Sequence, residues 1–240
     1  MPVAFGPPPR IPPFGPAQRA AARALGLAMA AALLTHLAAA RPATAHPHVF
    51  IDAGLTLFTA GNGTVDGVEV TWRYDEFYSL ILLQDFALDR DFDGRLTEAE
   101  TAAALGFDLE WNSGFDGGLN LRRGDVALGL GRPEPVSLRL LEDGRLESVH
   151  RRPVTGDPGG PAPVEARIYD AAFYVAFDAV LPSGVSGTDC VPERVPADLE
   201  AAQARLDAAL MAMGGAVAAE DDFPRLGGLF ADALVFSCAR

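Results

Sequence analysis

Two stretches of strict period-two alternation, a C-terminal apolar stripe at helical spacing and an acidic loop between helical flanks predict an α+β fold. The expected architecture is an antiparallel sheet with a few packed helices and one EF-hand-like helix-loop-helix. The first forty-five residues stand apart from it. Arg10, Arg19 and Arg23 form a positive start without an acid, Ala24 to Ala40 is apolar, and Ala43-Thr44-Ala45 has the small-x-small form of a cleavage site. Residues 1–45 therefore read as a signal peptide and 46–240 as a single exported α+β domain containing an EF-hand-like loop at 89–100. A membrane anchor is disfavoured, because the apolar run is Ala-rich and broken by Thr35 and His36, whereas a spanning helix needs about 20 apolar residues. A soluble exported protein with no direct membrane insertion after cleavage is expected.

From His48 to Phe58, Val49, Ile51, Ala53, Leu55 and Leu57 share one face of a predicted strand. Gly61-Asn62-Gly63 supplies a turn, and Val68, Val70, Trp72 and Tyr74 alternate on the return strand, giving a hairpin. Glu76 to Leu88 then reads as a helix entering the acidic loop. After a Gly- and Asp-rich connection over 111–118, short strands are predicted over 126–130, 136–141 and 146–150, and strand character resumes over 167–181. Asp157 to Pro163 reads as an exposed loop. Leu199, Ala202, Leu206, Leu210 and Met213 define a late helix, and residues 233–238 a closing strand.

The run Asp89 to Glu100 fills each demanding position of a calcium loop. Asp89, Asp91 and Asp93 occupy its first, third and fifth places, Gly94 the sharp turn, and Glu100 the twelfth place, where a two-oxygen carboxylate is needed. The Arg95 carbonyl is expected as a backbone ligand, Thr97 as a ligand through water, and Leu96 as an inward hydrophobic pin. Calcium takes six to eight hard oxygens in flexible geometry, and alternating carboxylates meet that demand. The plainer reading is an acidic surface loop, which leaves the fixed spacing unexplained.

A second expected metal site lies at the new N-terminus. Cleavage after Ala45 exposes His46-Pro47-His48, bringing one amine and two imidazoles within three residues, a donor set suited to zinc, nickel or copper. Pro47 lacks the amide hydrogen that a square-planar amino-terminal copper or nickel site would lose, so the amine and imidazole of His46 are expected to chelate, with His48 alongside or bridging to carboxylates, of which Asp75 and Glu76 are nominated. The plainer reading leaves both imidazoles in solvent. His150, the other histidine beyond the cleavage point, reads as an ordinary strand residue.

Composition bounds the rest. All nineteen basic residues are arginine, and the net charge of −13 argues against nucleic acid or an anionic membrane as partner. Losing Arg10, Arg19, Arg23 and Arg41 with the signal peptide, and no acid, takes the charge from −13 to −17. Cys190 and Cys238 form an even pair, which in an oxidising compartment reads as one disulfide, with two unlinked buried thiols as the alternative. No nucleophile with its base, no zinc-binding H-E-x-x-H helix and no phosphate-cradling glycine loop is present, so no enzyme is expected.

Several segments together carry a family resemblance: Ala45-His46-Pro47-His48-Val49-Phe50-Ile51-Asp52, Val70 to Ser79 with Asp75-Glu76-Phe77, the Asp89 loop, Ile168-Tyr169-Asp170-Ala171-Ala172-Phe173-Tyr174, and Leu229-Phe230-Ala231-Asp232 with Cys238. The chain resembles a domain-of-unknown-function family of periplasmic proteins, described as components associated with nickel/cobalt-type or zinc transport systems. The resemblance implies a periplasmic location, transition-metal handling and an inner-membrane metal permease as partner. The expected function is that of a metal-binding accessory protein to such a system, with structural calcium in the loop. The alternative is a calcium-binding interaction module in which the histidines are incidental.

Overall fold

The computed structural model describes residues 15, 47–111, 115–213 and 223–237. The chain divides into two units, Met1–Ala45 and His46–Arg240. Of the first only Gly15 is described, so the predicted signal peptide lies outside the described residues, as do His46 and Cys238. Among the described residues no helix is long and apolar enough to cross a membrane.

The second unit is mostly β. Strands β1 (Val49–Thr59) and β2 (Val65–Tyr74) form the expected antiparallel hairpin, with Ile51 opposite Tyr74 and Ala53 opposite Trp72. All five apolar residues predicted on the inner face of β1 are buried, as are Val68, Val70, Trp72 and Tyr74 of β2. The chain continues through helix α1 (Glu76–Asp85) and α2 (Glu98–Ala104) into short strands β3 (Leu119–Arg123), β4 (Val126–Ala127) and β5 (Gly129–Leu130). A longer pair follows, β6 (Glu134–Leu140) and β7 (Leu146–Thr155), then β8 (Val164–Ile168), β9 (Val175–Asp178), β10 (Gly184–Val185) and β11 (Glu193–Val195). Helix α3 (Leu199–Ala212), a 3₁₀ turn at Gly227–Leu229 and β12 (Ala233–Phe236) end the described chain.

These strands make two sheets. One has seven strands in the order β10-β1-β2-β7-β5, with β6 also on β7 and β9 also on β1; the other has five, β11-β12-β8-β3-β4. Apolar side chains from both sheets, including Leu55, Val70, Leu121, Ala166 and Phe236, form one continuous core.

The α+β expectation, with one antiparallel sheet and an EF-hand-like helix-loop-helix, is thereby overturned. The larger sheet is mixed, because β9 and β10 both run parallel to β1. The three α-helices among the described residues contribute little to the interior: α1 buries Ser79 and Leu82, α2 buries Ala104 and α3 buries Ala202. The expected helix-loop-helix is not a unit of this fold, since α1 stops at Asp85, short of Asp89, and α2 is only seven residues long. Of the five residues that define the late helix, Ala202 is buried while Leu199 and Met213 are exposed. The reason is common to these differences: the apolar surface that helices would have covered is covered by a second sheet, whose five strands are each only two to five residues long.

Candidate functional site

The acidic loop is entered by a chain reversal. Helix α1 is capped at its C-terminus by Phe86, and Ala87 then adopts φ 48°, a left-handed closure that non-glycine residues seldom take. That turn drops Leu88 into the core and delivers Asp89 with only 6% of its surface exposed. One Asp89 oxygen accepts from the Asp93 amide at 3.3 Å and the other from the Gly94 amide at 3.0 Å. Gly94 sits at φ 78°, which is why the turn takes glycine, and Asp93 accepts from the Arg95 amide at 2.9 Å. Leu96 packs partly buried against the core, as the predicted pin requires.

This backbone gathers the three aspartates. One carboxylate oxygen from each of Asp89, Asp91 and Asp93 lies within 4.8 Å of the others, the single such group of ligating side chains among the described residues. Oxygens bound to one calcium ion at 2.3–2.6 Å stand up to about 5 Å apart, so the spacing fits a hard cation. The repulsion shifts one of these carboxyls. The Asp93 carboxylate beside it raises the Asp91 carboxyl above the ordinary range, with a smaller push from Glu100.

Glu100 stands slightly apart from this group. One of its oxygens accepts from the Arg90 amide at 3.0 Å, and the other accepts from the Thr97 amide at 3.0 Å and the Thr97 hydroxyl at 2.8 Å. Thr97 Oγ1 in turn accepts from the Glu100 amide, closing a capping box at the start of α2. The Arg90 and then the Thr97 donors hold the Glu100 carboxyl below its usual range. The fourth carboxylate thus spans the loop mouth between its second and ninth residues, and joining a bound cation requires it to turn from those donors. Arg95 and Thr97 are exposed at the positions expected of them. The donors are all hard oxygens, which suits calcium better than a soft metal.

The expected nitrogen-rich site is only partly described, since His46 falls outside. His48 is exposed, its ring 5.0 Å from that of Tyr174, and its amide donates to the Tyr174 carbonyl at 2.9 Å. Asp170 builds this anchor by accepting from the amides of Ala172, Tyr174 and Val175, with Phe173 between them at φ 65°. Asp75, one of the nominated carboxylates, accepts from the Phe50 amide at 3.2 Å and caps α1 by accepting from the Tyr78 amide at 2.9 Å. Three separated motifs, around His48, Asp75 and Asp170, therefore meet at one end of β1. Among the described residues, however, His48 joins no group of three ligating side chains.

His150 is not the ordinary strand residue that sequence suggested. It is 1% exposed, edge-on to Trp72 at 4.8 Å and to Trp111 at 5.8 Å. Among the described residues His150 Nδ1 and Trp72 Nε1 are the buried side-chain polar atoms without a hydrogen-bond partner. Burial, and then the neighbouring Arg152 cation, lower the imidazole pKa to about 4. Alternation along 146–150 could have placed it inside, on the same face as Leu146. No cysteine among the described residues is free, and Cys190 lies against the core.

In comparison with known families, the family described as a protein of unknown function (DUF1007) matches over residues 31–238. No curated protein matches the chain.

Proposed function

We propose that this chain, which belongs to the DUF1007 family of proteins of unknown function, is an exported metal-binding protein. It holds calcium in the loop from Asp89 to Glu100 and presents His46 and His48 to a transition metal, zinc, nickel or copper, as the periplasmic accessory of an inner-membrane metal permease. The observation that carries the cation-binding part is the approach of the Asp89, Asp91 and Asp93 carboxylates to within 4.8 Å of one another. Like charges repel, so a cluster of one buried and two exposed carboxylates is costly without a cation and favourable with one. The convergence of His48, Asp75 and the Asp170 turn at one end of β1 supports a second function at the front of the domain. A disulfide between Cys190 and Cys238 belongs to the same proposal of an oxidising compartment.

A second reading has its own support. His48 joins no triplet of ligating side chains among the described residues, which favours an interaction module whose one ion is calcium. Calorimetry on protein beginning at His46 separates the two. The first reading expects zinc, nickel or copper to bind one-to-one and to be lost in His46→Ala/His48→Ala while calcium binding persists. Calcium binding alone, abolished by Asp89→Ala/Glu100→Ala, selects the second. Binding of neither class of ion discards both.

A further inference from the structure

Helix α1 has an outer face that solvent does not explain. At 100° per residue Phe77, Leu80, Ile81 and Gln84 fall on one side, opposite the buried Ser79 and Leu82. Phe77 is 72% exposed and Leu80 62%, on a face where an ordinary surface helix carries charge. Glu76 and Asp85 flank this stripe, and α1 has no basic residue in its last turn. Among the described residues Asp85 therefore stands at the negative end of the helix dipole without an ion-pair partner, an unfavourable placement that an incoming cation would relieve. The surroundings carry the same sign: between Asp75 and Glu110 ten carboxylates face two arginines, which puts eight of the chain's thirteen net negative charges in this segment.

We propose that the exposed face of α1 is a docking surface for a basic amphipathic helix of a partner protein. Phe77 and Leu80 would meet the partner's apolar stripe, and Glu76 and Asp85 its flanking lysines or arginines. The charge pattern decides among occupants. An anionic lipid surface and a second copy of this acidic chain would both be repelled. A basic segment is attracted over the distance that salt allows, roughly 10 Å at 0.1 M. The inference does not depend on either metal site, and its test is made in EDTA, so its failure and that of the metal reading are separate results.

The probe is a labelled synthetic amphipathic helix of leucine and lysine, with a leucine–glutamate helix as control, followed by fluorescence anisotropy at low ionic strength. The lysine peptide is expected to bind and the glutamate peptide not to. Phe77→Ser/Leu80→Ser is expected to weaken binding by about tenfold or more at unchanged Tm, because both side chains are already in solvent. Glu76→Gln/Asp85→Asn, and added salt, are each expected to weaken it several-fold. Binding unchanged by the double serine variant would overturn the proposal, since it would then rest on net charge alone. Binding of the glutamate peptide, sedimentation with phosphatidylglycerol vesicles that needs Phe77, or self-association lost in the serine variant would overturn it equally.

Discussion

Asp89 is the residue at which the acidic loop is both folded and charged. Its two oxygens hold the Asp93 and Gly94 amides, so Asp89→Asn keeps one of the two acceptors, replaces the other with an NH2 donor, and removes one negative charge from the cation cluster. Calcium affinity is expected to fall by about tenfold or more with little change in fold, as read by calorimetry beside a far-UV spectrum. Protons compete for the same oxygens. Asp91, already raised by Asp93, takes up a proton more readily than an ordinary aspartate, so calcium affinity is expected to decline as pH falls from 7 towards the carboxylate range. His150 makes an opposite use of burial, since it is neutral in the fold with its pKa lowered to about 4, against 6.5 for the free side chain. The unfolded chain therefore binds more protons between those values. Stability is intact above about pH 6.5 and is lost as pH falls towards 4, by about 3 kcal/mol in full. Urea melts at pH 7 and 5 are expected to show this loss, and His150→Leu to reduce its pH dependence.

Elements in this protein are tied at a few buried polar points, of which Arg123 and Asp157 are the clearest. Both side chains are buried and joined at 2.7 Å, and Asp157 also accepts from the Val65 amide at 2.6 Å. One carboxylate thus fastens β3, the start of β2 and the loop after β7. Burial pushes the Asp157 carboxyl up, but the Arg123 guanidinium and the Val65 and Gly159 amides outweigh it and hold the pKa at about 2. The stability this contributes is present above about pH 4 and is lost as pH falls through 2, about 2.5 kcal/mol in all. Asp157→Asn strands the buried guanidinium and is expected to cost about 3–5 kcal/mol in chemical denaturation. Sequence placed Asp157 in an exposed loop, because Asp-Pro-Gly-Gly-Pro is turn chemistry, and nothing local betrays an arginine 34 residues away. The β1–β2 hairpin was legible for the converse reason: its alternation, turn and partner are all local. The parallel pairings of β9 and β10 with β1 leave no local signature, since their partner lies far back in the chain. The same divide runs through the candidate sites. The spacing of the three aspartates could be read directly, whereas the meeting of His48 with Tyr174 depends on β9 returning to β1.

At the scale of the molecule, the acidic loop lies between two helices that bury little and a core built by sheets. Calcium is therefore expected to brace one corner and not to drive folding. Leu88 and Leu96, at either end of the loop, both pack against the core, so fixing the loop restrains the ends of α1 and α2 against it. Mass action sets the size of the effect. An ion bound at about 10⁻⁴ M and supplied at about 1 mM stabilises the native state by about 1.4 kcal/mol. For a domain of this size that raises Tm by roughly 3–6 °C, because each kcal/mol shifts Tm by roughly 2–4 °C. Scanning calorimetry in calcium and then in EDTA is expected to show a reversible rise of this order, absent in Asp89→Asn. A folded baseline is expected in EDTA as well, since β1, β2 and β7 make their pairings without the loop. Unfolding on chelation would instead mean that the ion organises the sheets, and an unchanged Tm would mean that the three carboxylates hold no cation.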